Sequence, residues 1–275
     1  MRPHLLLLAC TLWLLGATQG RAAGLDDTVP AHPGLTYFEL MKRVVPDLTR
    51  TADGATGHTL VPFTHIDGKD MKATPDAIAL KAVDVLPIPG DAARIVLSFD
   101  LGVAEGSLAG GKFLALFALA PSPRLLDLVE IGGDRFVDVS EAKPPELGPG
   151  TPLILVESSH DNSNQSYELT DMIFIRNGKF ALIDTVFTLG DAFCGYRRTQ
   201  SVSITTVPDG MPYRAVRVVV RQEVTRSDED CSDAKLPTAG TTTYRATYRW
   251  NPHRQTFTTN SRELTRLDEI NRKRM

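Results

Sequence analysis

The chain has 275 residues, a formal net charge of −3 and three cysteines. That length supports one large domain or two small ones with a real core. The acidic balance, with no recognised reader motif, disfavours nucleic acid as a partner.

Arg2 and His4 lead into an apolar run from Leu5 to Leu15, broken only by Cys10 and Thr11. Small and polar residues follow, Gly16 to Ala23. A charged start, a short apolar core and small residues make a secretory signal peptide over 1–22, which predicts export to the periplasm or the extracellular space. The run is too short to span a bilayer, and no later stretch reaches about 18 apolar residues, so no other transmembrane segment is expected. Leu7-Leu8-Ala9-Cys10 resembles a lipoprotein box, but the apolar core continues past it, so Cys10 is expected to leave with the peptide. Cleavage is placed after Ala22, with Gly20 as the alternative. Removing 22 of 275 residues leaves 253, and losing Arg2 and Arg21 takes the net charge from −3 to −5. Cys194 and Cys231 remain. An even pair in an oxidising compartment predicts a disulfide, contributing about 3–4 kcal/mol through unfolded-chain entropy.

Residues 24–34 are polar and Pro/Gly-containing and predict a loose leader. Leu35–Val45 has helical spacing and stops before Pro46, which predicts a short helix. Thr59–Ile66 predicts a strand that Pro62 confines to an edge. Thr74–Leu80 predicts one helical turn, with Thr74 as cap and Pro75 at its first position. From residue 92 the texture is β. Strands are expected at Arg94–Leu101, Phe113–Ala120 and Arg124–Ile131. A proline-rich break follows at 142–152, with a further strand at Leu153–Glu157.

Asn177-Gly178 between Met172–Arg176 and Lys179–Asp184 predicts a type I′ hairpin that pairs Arg176 with Lys179 and Ile175 with Phe180. A second hairpin, 199–207 with 213–224, turns at Pro208-Asp209-Gly210 and would place Cys194 and Cys231 just beyond its open end. A third joins Thr242–Trp250 to Thr256–Thr259. From Ser261 a short basic helix carries Leu264, Leu267 and Ile270 on one side. Arg94–Val139, Pro152–Phe193 and Tyr213–Leu267 each read as strand, loop, strand, turn, strand. This leaves a propeller-like duplication open beside ordinary antiparallel β sequence. The fold class expected is mainly β, an antiparallel meander or sandwich. An α/β segment over 23–91 should pack on a β domain over 92–275, and a subdivision near 142–152 stays open.

Charge is uneven. Residues 23–193 carry 13 basic against 24 acidic side chains, and 194–275 carry 15 against 9. Val216, Val218 and Val220 alternate with Arg217 and Arg221, while Tyr244, Tyr248 and Trp250 alternate with Arg245 and Arg249. On strands, Arg217, Arg221, Arg245 and Arg249 would share one solvent face. That is either an ordinary solvated face or a patch for an anionic partner such as an acidic glycan or a lipid headgroup.

Residue patterns for chemistry are weak. Gly106–Phe113 approaches a phosphate-binding loop, but Phe113 replaces the metal-binding hydroxyl and β sequence follows. Ser158-Ser159-His160-Asp161 holds the three triad residue types side by side, whereas a working triad needs convergence in space, so a polar loop is expected there. Asn162–Gln165 with Glu168 and Asp171, and Asp228-Glu229-Asp230 with Asp233, offer oxygens to calcium without the alternation and central glycine of a calcium loop. The histidines lack zinc spacing. No catalytic residue, cofactor or metal site is assigned, and calcium alone stays open. The expectation is an exported, non-catalytic β protein that binds a glycan, an envelope component or a protein. The alternatives are a secreted hydrolase whose site is assembled from separated loops, or a structural envelope protein.

Overall fold

The computed structural model describes residues 21–30, 32–69, 77–102, 111–132, 136–140, 144–227 and 236–275. In its first half, β1 (Arg21–Gly24) precedes α1 (Tyr37–Met41). Then come β2 (Thr49–Thr51), β3 (Gly54–Gly57), β4 (Thr64–His65), β5 (Ile78–Leu80), β6 (Ala82–Pro87), β7 (Arg94–Asp100), β8 (Lys112–Ala118) and β9 (Arg124–Ile131). The second half runs β10 (Phe136–Val139), β11 (Glu146–Gly148), β12 (Thr151–Asp161), β13 (Gln165–Arg176), β14 (Lys179–Phe193), β15 (Tyr196–Val207), β16 (Ala215–Arg226), β17 (Gly240–Asn251), β18 (Thr256–Thr258) and α2 (Glu263–Arg272). The protein is mainly β, with antiparallel sheets as expected. The single parallel pair among the described strands joins β4 to β9. No helix among the described residues is long and apolar enough to cross a membrane.

The first sheet has the order β1-β6-β7-β8-β9-β4. Its central strand β8, KFLALFA, is buried at every position, because both faces are covered. Phe113, Ala115 and Phe117 pack with Leu97 and Phe99 against Phe38, Leu40 and Met41 of α1. Leu114 and Leu116 pack the other way, with Ile154, Val156, Ile173, Ile175 and Phe180 of the second sheet. A strand covered on both sides loses the alternation of a half-exposed one. Each fully buried phenylalanine contributes about 1.5–3 kcal/mol of transfer free energy.

The second sheet runs β10-β12-β13-β14-β15-β16-β17-β18, with β11 paired beside β12, and it curls into a half-barrel. Leu153, Met172, Phe174, Val216, Val218, Val220, Ala246 and Tyr248 line its core, and α2 adds Leu267. The Asn-Gly hairpin has the expected register, Arg176 with Lys179 and Ile175 with Phe180. Asn177 (φ 51°) and Gly178 (φ 73°) take the left-handed angles that a type I′ turn requires. The β15–β16 hairpin pairs Tyr196 with Arg226 and Val207 with Ala215, around the expected turn. By contrast β14 and β15 share only three residue pairs, Asp191–Arg198 to Phe193–Tyr196.

At the far edge β18 covers only Arg249–Asn251 of β17. Midway along the remaining edge, the Arg245 N–H donates to Glu263 Oε2 at 2.7 Å and the Arg245 carbonyl accepts from Ser261 Oγ at 2.7 Å.

Several expectations are corrected. The first helix is shorter than 35–45, confined to Tyr37–Met41, and is capped by the Thr36 hydroxyl, which accepts the Glu39 N–H at 3.3 Å. The helical turn expected over Thr74–Leu80 is overturned at its end, where Ile78 and Leu80 point inward from strand β5; residues 70–76 lie outside the described residues. Only Thr64–His65 of the 59–66 strand forms. Ser158–Asp161 is not a loop but the end of β12, paired with Ser166–Leu169. The sheets of six, nine and three strands are unlike equal blades. β1 and β6, absent from the sequence reading, hydrogen-bond into the sheet that contains β7.

Candidate functional site

Strands β15, β16 and β17 present one apolar and one polar face. Inward go Val202 and Ile204, then Val216, Val218 and Val220, then Ala246 and Tyr248. Outward go Arg197, Thr199, Ser201, Ser203 and Thr205 of β15, all exposed, opposite Thr225, Glu223, Arg221, Val219 and Arg217 of β16. From β17 come Thr241, Thr243, Arg245 and Thr247, opposite Glu223, Arg221, Val219 and Arg217. No aromatic side chain stands among these outward positions.

The register brings Arg217, Arg221, Arg245 and Arg249 together as the alternation predicts, and orders them. Arg245 lies opposite Val219, between Arg217 and Arg221. Arg249, one residue past the Val216–Tyr248 pair, continues the line. The four form a zigzag across two neighbouring strands, Arg221, Arg245, Arg217, Arg249. Strand geometry sets successive positions about 8 Å apart and the whole row at roughly 20 Å. Arg221 is flanked by Ser201 and Thr243, and Arg217 by Thr205 and Thr247. Each β16 arginine therefore stands between two hydroxyls.

The ends of the row have acidic partners. Arg221 NH2 lies 3.6 Å from Glu223 Oε2, and Arg249 donates to Asp209 Oδ2 through Nε at 3.1 Å and NH2 at 2.6 Å. For the Arg217 and Arg245 side chains, no acidic partner occurs among the described residues. Exposed pairs contribute only about 0–1 kcal/mol each, so an arriving anion can displace them. Sequence reasoning missed Arg197. Its signal was the Arg197-Arg198 dipeptide, whose members must face opposite ways on a strand.

Arg198 is the inward member. Its NH1 donates to Asp191 Oδ2 at 2.5 Å, with side chains 7% and 2% exposed. Below it, Gln200 exchanges hydrogen bonds with Asn271 of α2 at 2.8 and 3.0 Å and donates to Gln222 at 2.9 Å. Asn271 also donates to the Phe187 carbonyl at 3.1 Å. Arg274 NH1 donates to Gln222 Oε1, and its carbonyl accepts from Gln165 Nε2. These polar groups beside α2 are bonded mainly to one another, while Asp191 Oδ1 and Arg198 Nε are buried with no hydrogen-bond partner among the described residues. Burial, and then Arg198, hold the Arg274 guanidinium below its usual range.

A second polar zone lies along the first sheet and its neighbours. Buried Lys112 stands 3.8 Å from Asp84 and 3.9 Å from Asp138. Burial raises Asp100 against the pull of Lys112. It also raises Glu130 against His65, and Asp171 against its hydrogen bond from Thr185. Glu157 is raised by burial and then by Glu168 and Asp138. Asp191 is raised by burial against Arg198. Burial pulls Asp67 upward too, but hydrogen bonds from Lys69 and His65 outweigh it and hold that carboxyl well below the usual range. Asp91 is likewise lowered, with Arg94 overcoming burial.

The signs fix the pH profile. A carboxyl whose folded pKa is raised keeps its proton longer in the folded state. Stability from Asp100, Glu130, Glu157 and Asp171 is therefore full below their unfolded pKa of about 4 and is lost as pH rises through the folded values. Asp191 is set apart, because its carboxylate is the counter-ion of buried Arg198 and protonating it would leave that guanidinium uncompensated. Asp67 and Asp91 act oppositely, and their contribution is lost only as pH falls below about 4. The melting midpoint should accordingly be higher at pH 5 than at pH 8 at fixed ionic strength. Differential scanning calorimetry reads this, and a midpoint equal or higher at pH 8 would refute it.

The other sequence candidates do not assemble. Ser158 and His160 share a face of β12, opposite Leu169 and Tyr167, while Asp161 alternates to the other face. The Asn162 side-chain oxygen is occupied by the Asn164 and Gln165 N–H groups at 3.1 and 2.9 Å, closing the β12–β13 turn. Phe113, which replaces the hydroxyl of a phosphate loop, is a core residue of a strand, and 103–110 lie outside the described residues. So do Asp228, Glu229, Asp230, Cys231 and Asp233. Among the described residues no three His, Cys, Asp or Glu side chains converge as metal ligands.

No family model matches the chain, and neither a curated protein nor a solved structure matches it.

Proposed function

We propose that this is an exported, non-catalytic binding protein that holds an anionic ligand, an acidic glycan of the envelope or its surroundings, on the outer face of β15, β16 and β17. The observation that carries this reading is the ordered row of Arg221, Arg245, Arg217 and Arg249 on an exposed, hydroxyl-rich sheet face. An arginine fork accepts carboxylate, sulfate or phosphate bidentately and stays charged at any working pH. A row of like charges concentrates a polyanion and makes association sensitive to salt. The test is chromatography on immobilised heparin. The parent protein should be retained and should elute with moderate salt, and the Arg217→Gln, Arg221→Gln, Arg245→Gln, Arg249→Gln variant should run through. A parent protein that is not retained, or a variant retained equally, overturns the proposal.

Export would make two further features consistent. A signal cut after Gly20, rather than Ala22, leaves whole the strand β1, whose Arg21 and Ala22 pair with Val85 and Asp84. A Cys194–Cys231 bridge would close the base of the β15–β16 hairpin, where the Ser227 N–H already donates to the Gly195 carbonyl at 3.1 Å. The mass of the exported chain, before and after reduction and alkylation, reads both. A chain beginning at Arg21, with two thiols that alkylate only after reduction, is expected. Thiols that alkylate without reductant overturn the bridge.

A further inference from the structure

We infer that the arginine row is a track of fixed length for a linear acidic polysaccharide lying along the strands, closed at one end by Glu223 and at the other by Asp209. The inference rests on the anionic-ligand reading above and narrows it to the shape of the ligand.

The arrangement is a line, not a cluster. Arg221, Arg245, Arg217 and Arg249 advance two residues at a time while alternating between β16 and β17. The path runs parallel to the strands, with charges about 8 Å apart. A compact anion would touch one or two of them, whereas a chain with regularly spaced charges meets all four. The hydroxyls of Ser201, Thr243, Thr205 and Thr247 beside Arg221 and Arg217 donate to and accept from sugar hydroxyls as arginine alone cannot. Single-stranded nucleic acid is disfavoured by the lack of an aromatic stacking platform on this face.

The two central cations, Arg217 and Arg245, carry no acidic partner among the described residues, while each terminal one does. Glu223 occupies the next outward position of β16, opposite Thr199 and Thr241. Beyond it Arg197 stands opposite Thr225. Arg197 is off the zigzag, one strand over on β15 and roughly 14 Å beyond Arg221, so without the Glu223 carboxylate a longer ligand could reach it as a further cation. Glu223 thus repels the ligand just beyond Arg221, and binding energy stops growing there.

The experiment uses the full mature chain and size-fractionated heparin oligosaccharides, with affinity measured by fluorescence polarisation. Affinity should rise with fragment length and level off once a fragment spans the four arginines. Glu223→Gln should move that plateau to longer fragments and tighten their binding by about two- to fivefold, the worth of one exposed ion pair. Arg197→Gln should leave the parent plateau in place but cancel the gain made by Glu223→Gln. Affinity that does not depend on length, or a plateau unmoved by Glu223→Gln, overturns the track while leaving the anionic face standing. Fragments that bind the four-arginine Gln variant as tightly as the parent overturn the face itself. Preferential binding to vesicles of anionic phospholipid, or to duplex DNA of equal charge, overturns the polysaccharide assignment. All substituted positions are exposed, and an unchanged melting midpoint verifies that each variant is folded.

Discussion

Replacing Arg198 alone by methionine should lower the unfolding free energy by about 3–5 kcal/mol, and replacing Asp191 by leucine at the same time should restore most of that loss. The two side chains sit directly opposite each other and are almost wholly removed from water. Taken out of water, each charge depends on the other. Removing one leaves a buried, uncompensated ion, whereas removing both leaves apolar groups of similar volume. The location magnifies the effect. β14 and β15 share only three residue pairs, and this pair is the innermost of them. On one side lie β12–β14 against the first sheet, and on the other the β15–β17 face with its arginine row. Urea denaturation of the two single variants and the double variant forms a thermodynamic cycle. A loss below about 1 kcal/mol for Arg198→Met would show that water, not Asp191, holds the guanidinium.

Phe174→Ala should be about as costly, at roughly 3–5 kcal/mol. Phe174 is 2% exposed. Its ring meets Tyr213, Trp250 and Phe257 nearly edge-on, at centroid separations of 5.7, 6.2 and 5.2 Å. These partners come from the turn before β16, from β17 and from β18, so one ring on β13 fastens both halves of the curled sheet. Truncation loses the transfer free energy of the ring, three favourable aromatic contacts, and the packing around the void that remains. Phe174→Leu should cost markedly less, because it keeps most of the volume. The denaturation midpoint should fall without a change in slope, since the surface exposed on unfolding is nearly constant. A shift as small as that of an exposed Phe136→Ala control would refute the assignment.

The sequence made legible whatever is encoded by neighbours in the chain. Asn177-Gly178 specifies its own turn, and the turn specifies the register of β13 on β14. Valines alternating with Arg217 and Arg221 specify which face of β16 is wet, and the pattern in β17 agrees. What escaped was encoded across distance. β6 carries Asp84 and ends on Pro87, so it has little local strand character, yet it is held between β1 and β7. The Glu157–Asp161 stretch is polar enough for a loop, but β13 supplies a partner for each of its residues. Ile78 and Leu80 have too short a span for their period to show. The Asp191–Arg198 pair and the Gln200–Asn271 contact join residues that no spacing rule relates. The order of the arginines likewise came from register, which alternation alone does not set.

The backbone plug at Arg245 bears on the open edge of the second sheet. From Gly240 to Tyr248, β17 is rich in threonine and aromatic residues and is uncovered by β18. Such an edge is a template on which another copy can add a strand, and then another. Ser261 and Glu263, at the entrance to α2, occupy both outward backbone groups of Arg245. They interrupt that template at its middle. The residues that lead into α2 therefore also block the addition of a strand at the middle of this edge.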